Sequence, residues 1–403
     1  MSEHINNREK RLDSLLQFSL GIMSGQKGSE LYEEHIDAIH HMTPYDMLDL
    51  EDRQLQMGIT TEEIKKSIDK VINVFYTSLN NYNWKKPAEG TFLYYLILEN
   101  QMYEFKLNKV KKILKTYNSR DEKGKSQING ELIDHFKDFL LFDSHYIKKE
   151  SILFPLLEKI WTNHRPLKVM WSLHDEIRKK LKVIIALLSS ADSLWKDVAR
   201  EIGSFYFLVF GMIQKENLVL FPIASETLSP EDWSNMHSQS FDYPFPFIES
   251  PKKPQVSAAD TMAEISSDRF FQTITGSLSS LQIEMIMNTL PLDITVVDEN
   301  DKVVYFSSPD ERFFPRSPAI IGRDVKNCHP PESVHIVEKI IKAFRSNEKS
   351  KARFWIELNN KFVIIEYYAL RDKSGAYKGV LEVSQDISEL RNLKGEMRLL
   401  DWE

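Results

Sequence analysis

The fold of the C-terminal part is decided by a stretch that reads Ile294-Thr-Val-Val-Asp298, then Glu299-Asn-Asp301, then Val303-Val-Tyr-Phe306. Its β-branched and aromatic residues favour two strands, because such side chains pack well on a pleated, half-buried surface. Asn300 and Asp301 tolerate the backbone angles that a tight hairpin needs. We therefore predict that the two runs pair as an antiparallel hairpin.

Further strands are predicted downstream, after an irregular stretch and a helix. The candidates are Phe354-Trp-Ile-Glu-Leu358, Phe362-Val-Ile-Ile-Glu-Tyr-Tyr368 and Gly379-Val-Leu-Glu-Val-Ser-Gln-Asp-Ile387, with a turn at Arg371-Asp-Lys-Ser-Gly375 before the last. From about residue 283 to residue 393 this succession resembles a PAS domain, and Gln385-Asp-Ile-Ser388 resembles the Asp-Ile-Thr signature of that family. The resemblance implies a five-stranded antiparallel sheet, with a ligand pocket or a protein-interaction surface.

Length and composition indicate a soluble protein of several domains. The chain has 403 residues and a formal net charge of −7, which is longer than one hydrophobic core supports and offers no basic stripe for nucleic acid or membrane. The single cysteine, Cys328, excludes an intrachain disulfide. The most apolar helical candidate, residues 183–188, is far shorter than the roughly 20 residues that a bilayer requires. We predict a cytoplasmic protein that binds neither nucleic acid nor membrane.

Changes in composition divide the chain into parts. Proline-rich and polar residues at 240–275 interrupt every periodic pattern and predict a linker. Before it, apolar residues recur at helical spacing, which predicts a helical domain at 1–85 and a helical bundle at 86–239. After it, the PAS segment spans 276–395, and 396–403 would end a terminal helix. The fold class is therefore α+β and multidomain.

The helical domain at 1–85 shows structural signals only. Thr60 and Glu63 have the spacing of a capping box and predict a helix start. His35, His40 and His41 lack companion carboxylates at a convincing spacing, so we assign them surface or packing roles.

A repeated phrase marks the bundle segment. It reads Lys149-Glu-Ser-Ile-Leu-Phe-Pro155 in the first copy and Lys215-Glu-Asn-Leu-Val-Leu-Phe-Pro222 in the second, with His145 ahead of the first and His174 between them. The segment resembles the HHE repeats of hemerythrin-like antiparallel four-helix bundles. This resemblance implies inward-facing His and carboxylate ligands that together hold two irons. The candidate metal ligands are His145, Glu150, His174 and Glu216.

The ligand pattern departs from that family in several places. Thr91 stands where a first-helix His is expected, Lys149 stands four residues after His145 in place of Glu, and Met212 stands four residues before Glu216 in place of His. Glu150 is displaced to the fifth place after His145. A five-residue separation turns it about 140° around the helix unless the helix is locally distorted. We predict that an intact di-iron site is absent.

Two interpretations of the bundle stay open. In the first, the repeat preserves a packed scaffold, with His145 and His174 hydrogen-bonded inside it. The side chains that would fill this scaffold are Phe154, Met170, Trp171 and Phe221. In the second, His145 or His174 holds a mononuclear iron or a haem. Neutral imidazole suits iron and zinc alike, so the sequence does not select the metal.

The PAS segment carries a second candidate site. Cys328-His329-Pro-Pro331 precedes a predicted helix with an apolar stripe, and proline suits the first helical turn. In one interpretation Cys328 is a thiolate ligand and His329 an axial haem ligand or a pH-sensitive contact. In the other, His329 supports the helix start and Cys328 is a small buried filler. Haem, a small metabolite and an empty pocket all stay open.

The order of the three parts resembles a bacterial family in which a helical domain of unknown function precedes a hemerythrin-like domain and a PAS domain. The chain carries no kinase phosphate loop, nucleotide cyclase phrase, DNA-reading helix-turn-helix or nucleophile elbow. We predict a sensory or regulatory protein that is not an enzyme. It would sense a small ligand, haem, metal or redox or oxygen signal and pass it to a separate signalling protein.

Two further expectations complete this interpretation. A terminal apolar stripe would pack on its own domain or build a homodimer through helices that flank the PAS domain. Its residues are Ile387, Leu390, Leu393, Met397 and Leu400. The alternative function is that of an oxygen- or nitric-oxide-handling iron or haem protein, in which the bundle does the chemistry and the PAS domain regulates it.

Overall fold

Helices make up the first 253 residues of the computed structural model, and an antiparallel sheet with flanking helices makes up most of the rest. The structure describes residues 2–117, 121–190, 192–253, 270–273, 275–309 and 312–396. It divides into a helical unit, Met1–Lys253, and a second unit, Pro254–Glu403. Residues 254–269 of the predicted linker and residues 397–403, with the stripe positions Met397 and Leu400, lie outside the described residues.

Four helices form the N-terminal part of the helical unit. They are α1 (Ser2–Met23), α2 (Gly28–His40), α3 (Pro44–Gln56) and α4 (Thr61–Asn80). The predicted capping box is confirmed: the Glu63 N–H donates to Thr60 Oγ1 over 3.3 Å, and the Thr60 N–H donates to Glu63 Oε2 over 2.8 Å. His35 is buried and lies 2.8 Å from Ser14 Oγ, in agreement with a packing role.

The predicted four-helix bundle is confirmed, and short extra helices extend two of its four rods. The elements are α5 (Phe92–Thr116), α6 (Glu122–Phe139), α7 (Asp143–Lys148), α8 (Phe154–Ile160), α9 (Pro166–Ser189), α10 (Trp195–Lys215), α11 (Phe221–Thr227) and α12 (Pro230–Ser240). Helix α5 contacts α6, α6 contacts α9, α9 contacts α10, and α10 contacts α5. The four rods therefore enclose a common interior.

Both copies of the repeated phrase form a π-helical turn. The turns are Lys149–Leu153, between α7 and α8, and Glu216–Leu220, between α10 and α11. Pro155 and Pro222 follow in each copy and lack the N–H that would bond to the carbonyl four residues earlier. The helix widens by one residue there, which is the local distortion that a five-residue ligand spacing needs.

The N-terminal helices and the bundle share one continuous hydrophobic core. Ion pairs also join them: the buried Lys215 of α10 donates to both oxygens of Glu51 in α3, over 2.7 and 2.6 Å. Lys65 of α4 donates to Glu176 of α9 over 2.8 Å. The expected boundary at residue 85 therefore does not coincide with a break in packing.

The start of the predicted linker at residue 240 needs correction. Residues 240–253 belong to the helical unit, and residues 243–247, which we call the aromatic strap, pack on the bundle. Phe245 is 8 % exposed, and the ring centroid of Phe247 lies 5.8 Å from that of Phe142. Aromatic burial has outweighed the two prolines that suggested a free connection, because prolines are compatible with an extended segment that packs.

One helical run within the described residues, Trp195–Thr227, is long and apolar enough to cross a membrane. This run does not include residues 183–188, the most apolar helical candidate predicted from the sequence. Because 78 % of its most apolar window is buried in the helical unit, it has the character of a core helix in a soluble protein.

The second unit contains the predicted five-stranded antiparallel sheet, in the order β4-β3-β7-β6-β5. Its strands are β3 (Asp293–Asp298), β4 (Val303–Phe306), β5 (Lys351–Leu358), β6 (Lys361–Arg371) and β7 (Tyr377–Asp386). The predicted β3–β4 hairpin is confirmed, and Asp301 in its turn has φ 65°. Helix α14 (Val334–Arg345) connects the first two strands to the last three.

Additional elements precede this sheet. A two-stranded hairpin, β1 (Phe270–Thr273) and β2 (Gly276–Ser279), lies partly within the predicted linker and leads to α13 (Ser280–Thr289). Ser279 and Gln282 cap this helix. Strand β1 is therefore a second correction to the linker, whose polar composition did not indicate a hairpin.

Candidate functional site

A cluster of polar and charged side chains lies buried in the centre of the bundle. Helix α5 contributes Glu99 and Asn100, α7 and the first π-turn contribute His145, Lys148, Lys149 and Glu150, α9 contributes His174, and the second π-turn contributes Glu216. Each of these residues is at most 7 % exposed. Buried charges are costly unless they are paired, so the contacts within this cluster decide what it can do.

His145 lies between two carboxylates. Its Nδ1 is 2.7 Å from Glu99 Oε2, and its Nε2 is 2.9 Å from Glu216 Oε2. A neutral imidazole carries one N–H, so these two contacts need one additional proton, on the ring or on Glu99. Burial raises the pKa of Glu99 to about 7, whereas burial lowers the pKa of His145 well below its usual value.

His174 is held in one tautomer. Its Nδ1 lies 2.7 Å from Glu150 Oε1, and Arg178 donates to both oxygens of Glu150 over 3.0 Å each. A carboxylate paired with a guanidinium accepts hydrogen bonds, so the imidazole proton is on Nδ1 and the lone pair is on Nε2. Burial lowers the pKa of His174 well below its usual value, which agrees with a neutral ring.

Lys149 lies at the centre of the cluster. Its Nζ is 3.1 Å from His174 Nε2, is hydrogen-bonded to Glu216 Oε1, and lies 4.9 Å from the ring centroid of Tyr146. Burial lowers the pKa of Lys149 well below its usual value and the positive charge of Arg178 adds to this effect, whereas the negative charge of Glu150 opposes it. The Glu216 carboxylate and the π face of Tyr146 both stabilise positive charge, so these two contacts favour the ammonium form against the effect of burial.

Aromatic rings separate the cluster from solvent. Phe142 stacks on His145 with centroids 4.5 Å apart, and Tyr146 stacks on His174 with centroids 4.3 Å apart. Lys148, which is hydrogen-bonded to Glu99, lies with its Nζ 4.1 Å from the ring centroid of Phe245 in the aromatic strap. Exclusion of water lowers the local dielectric constant and strengthens each ion pair.

The four predicted metal ligands lie close together in the structure. Their side chains form hydrogen bonds with each other and with cationic side chains. Glu216 contacts His145 and Lys149, and Glu150 contacts His174 and Arg178. Among the described residues, no group of three or more His, Cys, Asp or Glu side chains is placed to hold a metal ion. The residues present do not fit an iron centre, because an ammonium group already engages the lone pairs of His174 and Glu216.

The scaffold interpretation describes the surroundings of this cluster well. Of the predicted filling side chains, Phe154, Met170 and Phe221 are buried, whereas Trp171 is only partly buried. His145 and His174 are fully buried and hydrogen-bonded. Thr91, aligned with a first-helix ligand, instead caps α5 by accepting from the Tyr94 N–H over 3.4 Å.

The sequence analysis did not single out three residues of the cluster, Glu99, Asn100 and Lys148, or the adjacent Arg178. Glu99 and Asn100 interrupt the apolar stripe of α5 between the buried residues Leu96 and Tyr103, which is a signal that was available. In the sequence, Lys149 marks a position where the family has a glutamate ligand. The structure shows that this lysine is buried, so the chain itself places a cationic side chain inside the bundle.

The second unit contains a small, partly open cavity between α14 and the sheet. It measures about 30 Å³, and its walls are apolar apart from His329, Tyr367 and Glu382. The residues that line it are Val297, Val325, His329, Val337, Ile340, Ile341, Tyr367, Val380 and Glu382. Burial lowers the pKa of His329, and the Glu382 carboxylate opposes this effect.

The two predicted cofactor residues have different surroundings. His329 faces the cavity, whereas Cys328 packs against the core of this unit with its Sγ 3.7 Å from the Asp324 carbonyl oxygen. A cavity of about 30 Å³ holds only one or two molecules the size of water. Haem does not fit in this conformation.

Comparison with known families matches two parts of the chain. Residues 283–388 match the family described as PAS domain, and residues 107–224 match the family described as Hemerythrin HHE cation binding domain. Helices α1–α4 precede both matches. Comparison with curated proteins gives no match.

Several solved structures are similar to the chain. A C-terminal domain from Streptococcus mutans is 34 % identical over 32 % of this chain and 99 % of that chain, with a TM-score of 0.31. The PAS domain of a Colwellia psychrerythraea protein is 18 % identical over 27 % of this chain and 97 % of that chain, with a TM-score of 0.23. A sensory box sensor histidine kinase from Vibrio cholerae is 15 % identical over 26 % and 89 %, with a TM-score of 0.21.

Proposed function

Because this chain joins a hemerythrin HHE domain to a C-terminal PAS domain behind an N-terminal helical region, we propose that it is a cytoplasmic sensory protein that passes a signal to a separate partner protein and catalyses no reaction itself. The combination of the two domains supports a sensory or regulatory role. The observation that carries the proposal further is the small cavity of the PAS domain, which has polar groups in an otherwise apolar wall.

The chemistry of the cavity supports a small ligand that offers hydrogen-bond donors. Glu382 is 7 % exposed, and its ion pair with Arg316 joins Nη2 and Oε2 over 3.6 Å, which is longer than a hydrogen bond. A donor group on a ligand would therefore satisfy Glu382 better than its present neighbours do. His329 and Tyr367 line the same space and would orient such a ligand.

The small volume supplies a mechanism for signalling. Val337, Ile340 and Ile341 of α14 form one wall of the cavity, so a ligand larger than a few atoms enters only when α14 moves away from the sheet. Binding and helix displacement then become one event, and the ligand shifts the population toward the displaced state. This state would be what the partner recognises.

Exposed apolar side chains on the PAS domain support a partner surface. Helix α13 exposes Leu281 and Met285, and edge strand β5 exposes Trp355, each by more than half. Helix α13 flanks the PAS sheet in sequence, which fits the expected homodimer as well as a signalling partner. Large exposed apolar groups of this kind mark interaction surfaces.

The alternative function, an oxygen- or nitric-oxide-handling metalloprotein, is supported by the cation-binding description of the matching family. Lys149 argues against this function, because its amine already contacts His174 and Glu216. We therefore assign the sensing step to the PAS domain and a structural role to the bundle.

Native mass spectrometry of the full chain, compared with two tryptophan variants of α14, tests the proposal. Ile340 lines the cavity, whereas Ile336 is 38 % exposed on the same helix. We expect a small-molecule adduct on the purified wild type and on Ile336→Trp, and its loss on Ile340→Trp. An adduct that persists in Ile340→Trp, or its absence from the wild type, would contradict a ligand site at this cavity.

A further inference from the structure

We propose that Lys149 is a permanent substitute for a metal ion, so that the bundle assembles its inward-facing histidines and carboxylates around a side-chain ammonium group and needs no metal. The inference concerns the helical unit and does not depend on the sensory role proposed for the PAS domain.

The contacts of Lys149 are those that a bound cation would make. His174 Nε2 lies 3.1 Å from Nζ and presents a lone pair, and Glu216 presents a carboxylate oxygen. Lys149 stands four residues after His145, so its long side chain starts from the same inward face of the helix. The ammonium therefore reaches the point at which ligands from separate helices converge.

The surroundings of His174 are also those of a metal-binding histidine. Its Nδ1 donates to Glu150 over 2.7 Å, and Arg178 holds Glu150 through both carboxylate oxygens. Metal-bound histidines usually donate their second ring N–H to a carboxylate in this way, which fixes the tautomer and aims the lone pair at the metal. Here the same arrangement aims the lone pair at Lys149.

Charge balance explains why a lysine is required. Glu99, Glu150 and Glu216 are the carboxylates of the cluster, and Lys148, Lys149 and Arg178 each contact one of them. At the edge, Arg178 also pairs with Asp143 and Asp175. Loss of a metal ion from such a centre would leave buried carboxylates uncompensated, at high cost. A cationic side chain at each inward carboxylate removes that cost.

Metal content of the wild-type chain gives the first test. We expect substoichiometric iron, zinc and manganese in the full chain as purified, and no increase after anaerobic incubation with ferrous iron followed by gel filtration. Melting temperature (Tm) should not change with EDTA. One or two tightly held irons per chain, or a Tm that falls with EDTA, would overturn the inference.

Paired lysine variants give the second test. Lys149 and Lys215 are both at most 2 % exposed and both pair with a glutamate, but only Lys149 contacts a histidine. We expect Lys149→Ala and Lys215→Ala each to lower Tm by on the order of 10 °C. Added Co²⁺ should restore Tm only in Lys149→Ala, and this variant alone should show visible cobalt absorption. The reason is that removal of the lysine amine frees the lone pairs of His174 and Glu216 to bind the metal.

A second substitution keeps this test decisive if Lys149→Ala does not fold. Lys149→Glu places a carboxylate four residues after His145, and we expect it to fold only with Co²⁺ or ferrous iron present, since metal binding then supplies folding free energy. Equal responses of the Lys149 and Lys215 variants to Co²⁺, or no response of either Lys149 variant, would contradict the proposal.

Discussion

Gly379 in β7 shows how a single residue limits the PAS sheet. Its φ is 130°, and a Cβ atom built there would lie 2.0 Å from the Val297 carbonyl oxygen in β3. We expect Gly379→Ala to accelerate hydrogen exchange of the β3 and β7 amides by roughly a hundredfold, since backbone strain of this kind costs about 1–3 kcal/mol before the clash is added. The measurement is amide exchange on the full chain.

A glycine in open space is the matched control for this substitution. Gly203 lies in α10, and a Cβ atom there meets no atom within 4 Å. Gly203→Ala should stabilise the helical unit by about 0.5–1 kcal/mol, because alanine has the higher helix propensity. Unchanged exchange in Gly379→Ala would show that β3 and β7 can separate at little cost.

Lys215 and Glu51 form the buried pair that joins α10 to α3, with exposures of 2 % and 1 %. We expect Lys215→Met to destabilise the helical unit by about 3–5 kcal/mol, because the Glu51 carboxylate would stay buried without a partner. Urea unfolding followed by tryptophan fluorescence measures this loss. The double variant Lys215→Met with Glu51→Gln should recover much of it.

An exposed pair provides the comparison for this prediction. The side chains of Lys27 and Glu30 are 70 % and 71 % exposed, so Lys27→Met should change the stability by less than about 1 kcal/mol. If the two lysine variants unfolded at the same urea concentration, the connection between α3 and α10 would not contribute as the structure implies.

Glu366 in β6 makes the stability of the PAS domain depend on pH. Hydrogen bonds from Lys351, Tyr368 and Arg353 lower its pKa from 4.5 to about 2. The pKa of Glu366 is lower in the folded state than in the unfolded state. Its contribution to the stability of the PAS domain is therefore complete above about pH 4.5 and declines as the pH falls toward 2. The Tm difference between wild type and Glu366→Gln should therefore be largest near neutral pH and vanish in strong acid. A constant difference would contradict this.

At the scale of elements, the PAS strands were predictable because local signals agree with the sheet. Runs of β-branched residues indicate strands β3 to β7. Asp301 and Gly375 adopt positive φ values of 65° and 83° in the turns that set the register. The hairpin β1–β2 was not predictable, since its flanking residues read as a polar connection. Pro155 and Pro222 alone do not predict the π-turns, because a proline usually ends a helix. The π-turns form because each helix continues past its proline within the bundle.

The aromatic strap, residues 243–247, is an element that closes the buried cluster. Phe245 covers Lys148, and Phe247 packs against Tyr103 with ring centroids 5.6 Å apart. We expect Phe245→Ala to destabilise the helical unit by about 3–5 kcal/mol and to accelerate amide exchange of α5 around Glu99. Phe105 lies in α5 and is 66 % exposed. Phe105→Ala should therefore leave the stability and the amide exchange of α5 unchanged.

If Phe245→Ala and Phe105→Ala gave equal exchange rates in α5, the strap would not shield the cluster. The strap lies close to the end of the helical unit, which runs to Lys253. A partner or ligand that loosened it would therefore act on the buried charges.

At the scale of the whole molecule, the α+β organisation and the two matching domains were predictable, whereas the pairing inside the bundle was not. His145 meets Glu99 and Glu216, which lie 46 and 71 residues away in the chain, so no local pattern reports these contacts. The sequence indicated that ligands were lost. Only the packed helices show that Lys148 and Lys149 compensate for the loss.

Anomalous diffraction from crystals of the full chain grown with ferrous iron tests the central claim most directly. Data on the two sides of the iron absorption edge locate any iron without reference to the side chains around it. We predict no anomalous peak inside the bundle, and density for the Lys149 amine between His174 and Glu216. One or two iron peaks among His145, His174 and Glu216, with Lys149 turned away, would contradict the account.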